Sequence, residues 1–210
     1  VTGASGYIGA HVTGLLLKAG WRVRATVRDP TNDKKTAPLR ALPGASERLE
    51  LVKADLLQPV EEWKPVVDGC TYVLHTASPF PLSDPKDKSE LIEPAVKGAT
   101  SVVQASIDSA SVRRVVLTSS CIAIAYGHPG GLGSKVWNHE DWSVPGSAEL
   151  NAYGESKTLA ERAAWDLIAA QPDDRGLELA TVNPSFVQGP MLTSSSCSSV
   201  ELVAQMLMGK

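Results

Sequence analysis

Tyr153 and Lys157 stand four residues apart in the segment YGESKTLAE. If that segment is helical, both side chains leave one face. A lysine ammonium one turn from a phenol stabilises the phenolate and draws its pKa down from an ordinary value of about 10. Such a phenol can exchange a proton with an oxygen near neutral pH. Ser119 and Ser120 end the apolar run RVVLTSS, Arg114 to Ser120. A hydroxyl at the carboxyl end of a central strand would point into a ligand crevice, where either serine could hold a carbonyl oxygen. Together the three residue types suit carbonyl reduction, with the hydride drawn from a nicotinamide. A tyrosine and a lysine on a helix are more often a half-buried aromatic and a solvated charge. The surrounding elements therefore decide between the two readings.

The chain opens VTGASGYIG, with Gly3, Gly6 and Gly9 evenly spaced. A strand, a glycine turn and a helix form the dinucleotide-binding arrangement. Gly3 would permit the tight turn and Gly6 the close approach of pyrophosphate to the helix N-terminus. Gly9 would let that helix pack closely. The spacing is GxxGxxG rather than GxGxxG, and a plain strand-helix turn is the alternative; the VTG before it and the apolar helix after it favour the nucleotide. NAD enzymes place a carboxylate about 20 residues past the turn, at the end of the second strand. Here Val27 is followed by Arg28, with Lys34 and Lys35 shortly after. A guanidinium and an ammonium suit a 2′-phosphate, so NADP is favoured over NAD. The alternative is that Arg28 pairs with Asp29 or faces solvent, and Asp29 leaves some use of NAD open.

Strand-like and helix-like segments alternate along the chain. VRATV (Val23 to Val27), LELVKA (Leu49 to Ala54), TYVLHTA (Thr71 to Ala77), RVVLTSS and LELATV (Leu177 to Val182) are short apolar runs with little alternation, as in a parallel sheet covered on both faces. Helical patterns run from Ile8 to Ala19, closed by Gly20, from Glu90 to Ser109, and from Tyr153 to Gln171. This order predicts right-handed βαβ crossovers and a doubly wound sheet. Ala125 to Leu150 holds five glycines, two prolines and two tryptophans and reads as an active-site loop. TSSSCSS, Thr193 to Ser199, reads as a polar loop. Val1 and Thr2 are too few for a first strand, so several residues of strand are expected before Val1.

The 210 residues carry a net charge of -3, with no basic run that would suit nucleic acid and no apolar stretch long enough for a bilayer. Cys70, Cys121 and Cys197 are too few and too scattered for a disulfide framework or a zinc site. A reducing, cytoplasmic setting without metal is the expectation.

In order along the chain, VTGASGYIGAHV, RATVRDPTNDKK, LVKADL, HTASP, VVLTSS, YGESKTLAE and VNPSFVQGP resemble the extended short-chain dehydrogenase/reductase superfamily. The branch is similar to dihydroflavonol reductases, cinnamoyl-CoA reductases and fungal aldehyde/ketone reductases. The resemblance implies an α/β, Rossmann-type doubly wound parallel sheet flanked by helices over residues 1–190, and the start of a truncated substrate lobe over 191–210. It implies NADP(H) as cofactor and Ser120, Tyr153 and Lys157 as catalytic residues, with Ser120 chosen over Ser119 as the second of the pair. Lys157 would also bond the nicotinamide ribose, and Tyr153 would lie against the same end of the cofactor. Gly3, Ser5, Gly6, Tyr7, Ile8 and Gly9 would hold the pyrophosphate, and Arg28 and Lys35 the 2′-phosphate. Asp55 and Leu56 would lie at the adenine, with Asp55 alternatively a helix N-cap. Thr76, Ala77 and Ser78 would flank the ribose; Pro184, Ser185 and Val187 would flank the nicotinamide. The partner is a small carbonyl compound, with neither nucleic acid nor membrane, and the long helices would support a homodimer.

Two departures bear on substrate. Ala125 stands where dihydroflavonol reductases carry Asn or Asp, and NAYGESK stands where cinnamoyl-CoA reductases carry NWYCYGK. A less specialised aldehyde or ketone reductase fits better. The superfamily continues for about a hundred residues more, so the chain reads as a fragment. The alternatives are a sugar-nucleotide epimerase or dehydratase with bound NAD, which Arg28 opposes, and a non-catalytic NADP-binding regulatory or scaffold protein, which the retained Tyr153 and Lys157 oppose.

Overall fold

VRATV forms strand β1 (Val23–Val27), and all of it except Arg24 is buried, as a β-branched run without alternation requires. A computed structural model describes residues 1–79, 85–193 and 198–209. The chain divides into two compact units, Val1–Asp55 with Phe186–Lys210, and Leu56–Ser185.

In the first unit β1 pairs in parallel with β2 (Leu49–Lys53), Val23 opposite Leu49. Helix α1 (Tyr7–Lys18) precedes β1, and α2 (Asp33–Arg40) and α3 (Ala45–Arg48) join β1 to β2. Ala4, Ala10, Leu17, Val23, Ala25, Val27, Leu39 and Ala45 make one core. The buried face of α1 is Gly9, Ala10, Thr13 and Leu17. Leu15 is 66% exposed. Gly9, Ala10 and Thr13 on this face are small, which brings the helix backbone close to the turn. At the other end Gly20 (φ +88) donates to the Leu17 carbonyl and Trp21 to the Leu16 carbonyl, closing the helix with a Schellman motif.

Short as it is, the opening segment joins this sheet. The Val1 nitrogen donates to the Arg24 carbonyl, Thr26 N–H to the Val1 carbonyl, and Ala4 N–H to the Thr26 carbonyl. Residues 186–193 return to the glycine turn. The Tyr7 hydroxyl donates to the Gly189 carbonyl at 2.9 Å, His11 Nε2 lies 2.8 Å from the Pro190 carbonyl, and the Thr193 hydroxyl donates to the Ser5 carbonyl at 3.2 Å. Helix α7 (Ser198–Leu207) follows, so the polar run expected from Thr193 to Ser199 is already helical at its end. Residues 194–197, with Cys197, lie outside the described residues.

In the second unit β3 (Tyr72–His75), β4 (Arg114–Thr118) and β5 (Glu178–Val182) form a parallel sheet with β4 in the middle. Helix α4 (Val60–Val67) precedes β3, α5 (Ser89–Asp108) joins β3 to β4, and α6 (Ala152–Ala169) lies between β4 and β5. α5 buries Leu91, Ala95, Ala99, Val102 and Val103, while Val96 on the same helix is only part-buried. Its C-terminal carbonyls would be orphaned. Arg175 takes up two of them and two beyond the helix: Nε donates to Ile107 at 2.6 Å, and Nη2 to the Ser106, Ser109 and Val112 carbonyls at 2.6 to 2.7 Å. Complete coverage of every strand is not found. β2 and β5 are only part-buried, because each is the last strand of its sheet. Asp55 is not a helix N-cap either, since Pro59 occupies that position at α4.

Candidate active site

In the first unit the glycine turn is shaped by missing atoms. Gly3 has φ +64, a left-handed conformation that favours glycine. A Cβ on Gly9 would overlap the Gly3 carbonyl oxygen and come within 2.9 Å of the Ala4 Cα. Gly9 therefore fits the helix to the turn itself. Gly6 is the N-cap of α1 and offers no side-chain bond to the first turn. Its own N–H goes to Gly3 and its carbonyl receives Ala10 N–H. The amides of Tyr7, Ile8 and Gly9 thus begin the helix with no intrahelical acceptor, at its positive end. Backbone donors, no side chain in the way and a favourable dipole fit a pyrophosphate. Ser5 lies in the same turn, and its carbonyl holds Thr193.

Arg28 follows β1 and is exposed. Asp29 does not take it as a partner in any described bond. Its carboxylate receives the Thr31 hydroxyl at 2.7 Å and the Thr31 N–H at 2.9 Å. Those two bonds, the hydroxyl first, hold the Asp29 carboxyl below its ordinary pKa. Asn32 caps α2 by accepting Lys35 N–H at 3.3 Å, which sets Lys35 in the first turn. Asp55 is exposed just beyond β2, and Val187 is half-buried in the returning segment.

In the second unit the residues at the end of β4 meet the start of α6. Beyond β4 the chain keeps pairing with the continuation of β5: Ser119 N–H donates to Val182 at 2.8 Å and Cys121 N–H to Pro184 at 3.0 Å. Ser120 is held between them in extended backbone (φ -162, ψ 151) and begins a 3₁₀ turn over Cys121–Ala123. Its hydroxyl reaches the Pro184 carbonyl at 3.4 Å and accepts Ile122 N–H at 3.3 Å. The buried Ser119 hydroxyl has no partner among the described residues.

Asn151 caps α6 by accepting Gly154 N–H at 2.8 Å. That starts the helix one residue ahead of Tyr153 and puts Tyr153 and Lys157 on one face. Lys157 is buried, with Nζ 3.4 Å from the Thr118 carbonyl at the end of β4 and 5.8 Å from the centroid of the Tyr153 ring. Ser120, Tyr153 and Lys157 are thus brought together.

The electrostatics differ from the sequence expectation. Burial pushes the Tyr153 phenol above its ordinary value, with the Ser120 hydrogen bond pulling the other way and Cys121 adding a smaller upward push. The expected lowering by Lys157 is not found; burial of the ring sets the direction. Lys157 itself is pulled down to about 8 by burial, against the opposing charge of Glu161. His75, the last residue of β3, is buried and drops to about 3, first from desolvation and then from the Lys157 charge.

Thr76, Ala77 and Ser78 continue from β3, and the Ser78 hydroxyl donates to Pro79 at 3.4 Å. Leu56 packs against Gly98 of α5, whose missing Cβ makes room for it. Pro184 and Ser185 continue from β5 past Ser120. The loop from 125 to 150 contains no helix or strand; its start is tied to Ser143, whose hydroxyl donates to Ile122 and accepts Tyr126 N–H, both at 2.7 Å. A cavity of about 240 Å³ opens between α6 and β5, lined by Trp142, Glu161, Trp165, Thr181 and Asn183 among others, but by none of Ser120, Tyr153 and Lys157. Among the described residues, no His, Cys, Asp and Glu cluster could hold a metal, and no helix is long and apolar enough to cross a membrane.

Three residues escaped the sequence reading. Asn183 bonds the Ser120 carbonyl and Glu161, and Glu161 and His75 lie within electrostatic reach of Lys157, but the Asn183 and His75 contacts are remote in sequence. Glu161 alone carried a signal, as a carboxylate one further turn along the Tyr153–Lys157 face.

The sequence and the fold have clear relatives. The chain is 43% identical over 213 residues to cinnamoyl-CoA reductase CAD2 of Medicago truncatula, covering all of this chain and 63% of that protein. It is 37% identical over 211 residues to dihydroflavonol 4-reductase of Zea mays, covering all of this chain and 58% of the relative. The chain therefore spans about three fifths of the length of these relatives. Yeast methylglyoxal/isovaleraldehyde reductase Gre2, in a crystal structure with NADPH, superposes with a TM-score of 0.81 at 30% identity, over 99% of this chain and 64% of that one. These neighbours place the fold among Rossmann-type reductases. With residues 1–210 matching its family model throughout, the chain belongs to the NAD dependent epimerase/dehydratase family.

Proposed function

We propose that the protein is an NADPH-dependent reductase of aldehydes or ketones. The observation that carries this reading is the meeting of Ser120, Tyr153 and Lys157 in one part-buried cluster where β4 ends and α6 begins. When bound, NADPH supplies the hydride that converts the carbonyl carbon to an alcohol carbon. The chain supplies the proton and the geometry. Tyr153, kept protonated by burial, donates from Oη to the carbonyl oxygen. The Ser120 hydroxyl holds that oxygen in place. Lys157, with a pKa of about 8, bonds the nicotinamide ribose and returns a proton toward the tyrosine. The carbonyl compound thus gains one hydride at carbon and one proton at oxygen and becomes the alcohol, the hydride leaving NADP⁺.

The turn at Gly3–Gly9 holds the pyrophosphate, and Arg28 and Lys35 take the 2′-phosphate. The similar proteins are reductases by name, and the Gre2 structure contains NADPH, which supports the cofactor assignment. The departures at Ala125 and NAYGESK favour a small aldehyde or ketone over a flavonoid or a cinnamoyl thioester.

The test is to titrate the purified protein with NADPH and with NADH, following its five tryptophans, and then to monitor NADPH oxidation with a panel of aldehydes and ketones. NADPH is expected to bind at least about tenfold more tightly, given a charge-assisted bond to the 2′-phosphate. Equal binding, or retained NAD with no net reduction, would overturn the reading in favour of an epimerase or dehydratase.

A further inference from the structure

Glu161 carries a carboxylate in a place where carboxylates are seldom found. It lies one turn beyond Lys157 on α6, and the residue is 5% exposed. Its described hydrogen bond comes from Asn183, whose Nδ2 donates to Glu161 Oε2 at 2.8 Å. The same Nδ2 donates its other hydrogen to the Ser120 carbonyl at 3.2 Å. Asn183 is the first residue beyond β5. It sits between Val182 and Pro184, whose carbonyls receive the N–H groups of Ser119 and Cys121. The backbone ladder thus fixes Ser120 on both sides, and the Asn183 amide fixes its carbonyl. Through Glu161 that same amide reaches the helix that carries Tyr153 and Lys157.

We infer that Glu161 and Asn183 are a positioning pair that sets Ser120 in register with Tyr153 and Lys157 by tying the end of β4 to α6. Without the pair, only the long bond from Lys157 Nζ to the Thr118 carbonyl, at 3.4 Å, is described between α6 and the end of β4 beyond the Ser120–Tyr153 contact itself. Neither residue touches the reacting atoms. Their work is to hold an extended serine backbone and a helix face at a fixed separation, and misplacement by about 1 Å can cost a hundredfold in rate.

This inference rests on the reductase reading, so Tyr153→Phe is measured beside Asn183→Ala, Glu161→Ala and Glu161→Gln. The readouts are kcat, KM for the carbonyl compound and NADPH affinity. Asn183→Ala and Glu161→Ala are each expected to lower kcat by about 10- to 100-fold while NADPH affinity stays within about twofold. The double variant should be no slower than the worse single one, because both break one linkage. Glu161→Gln keeps an acceptor oxygen for Asn183 and should recover at least about a third of wild-type kcat. Should Asn183→Ala fail to fold, the contrast between Glu161→Ala and Glu161→Gln decides the matter. Full kcat in Asn183→Ala or Glu161→Ala, additive losses, or a Glu161→Gln variant as slow as Glu161→Ala would overturn the pairing. If Tyr153→Phe stays fully active, the reductase reading falls and this inference falls with it; if Tyr153→Phe is inactive while both alanine variants are fast, only the pairing falls.

Discussion

At the glycine turn the protein works by leaving atoms out. Gly3 adopts φ +64, Gly9 has no room for a Cβ, and the donors offered to a ligand are backbone amides. Around Lys157 it works by putting charged and polar side chains where water has been removed: Lys157, Glu161, His75 and Ser120 are all buried. A site made of backbone costs little in desolvation and binds phosphate tightly. A site made of buried charges carries a cost in stability and gains perturbed groups that can move protons.

That difference can be tested first where it is largest. Lys157 is predicted to destabilise the fold at neutral pH. Its native pKa of about 8 lies below the ordinary 10.5, so the native state disfavours the charge. Below about pH 8 both native and unfolded lysines are protonated and the cost is present in full. Between about 8 and 10.5 the unfolded lysine keeps the proton that the native one has released, so stability rises with pH. Lys157→Met should therefore raise stability near pH 7 by on the order of 3 kcal/mol, with the gain shrinking as pH approaches 10.5. Thermal melts of both proteins across that range check it; a variant less stable at pH 7, or a difference flat in pH, would contradict it.

Gly9→Ala probes the other region. The new Cβ collides with backbone that cannot swing aside. A loss of about 1–3 kcal/mol in stability is expected, along with weakened NADPH binding, read from melting temperature and tryptophan titration. A variant that binds NADPH as the parent does would show that the turn tolerates what its geometry forbids. Arg28→Ala should have the smallest effect, since the residue is exposed: NADPH affinity falls about tenfold, NADH affinity holds, and stability is unchanged. A parallel loss for both cofactors would remove Arg28 from the 2′-phosphate.

The two regions were also unequally legible in the sequence. The turn is local: three glycines within nine residues encode its conformation, and the strands VRATV and RVVLT follow from short β-branched runs. The pairing of Tyr153 with Lys157 is legible for the same reason, since a helix converts spacing into a shared face. Glu161 and Asn183 were not, because what makes them matter is contact with each other and with Ser120 across the fold. The direction of the Tyr153 shift was misread for a related reason. Spacing reveals a neighbouring charge, but desolvation depends on everything packed around the ring.

The most direct test of the account separates holding the cofactor from doing the chemistry within one variant. Tyr153→Phe keeps the ring and removes only the hydroxyl. NADPH affinity should stay within about twofold of the parent, while turnover of the best aldehyde or ketone falls by about 10²–10⁴-fold, the range for loss of a positioned general acid. Unchanged turnover would contradict the assignment of Tyr153 as proton donor, and with it the division of labour between a backbone that binds and buried side chains that react.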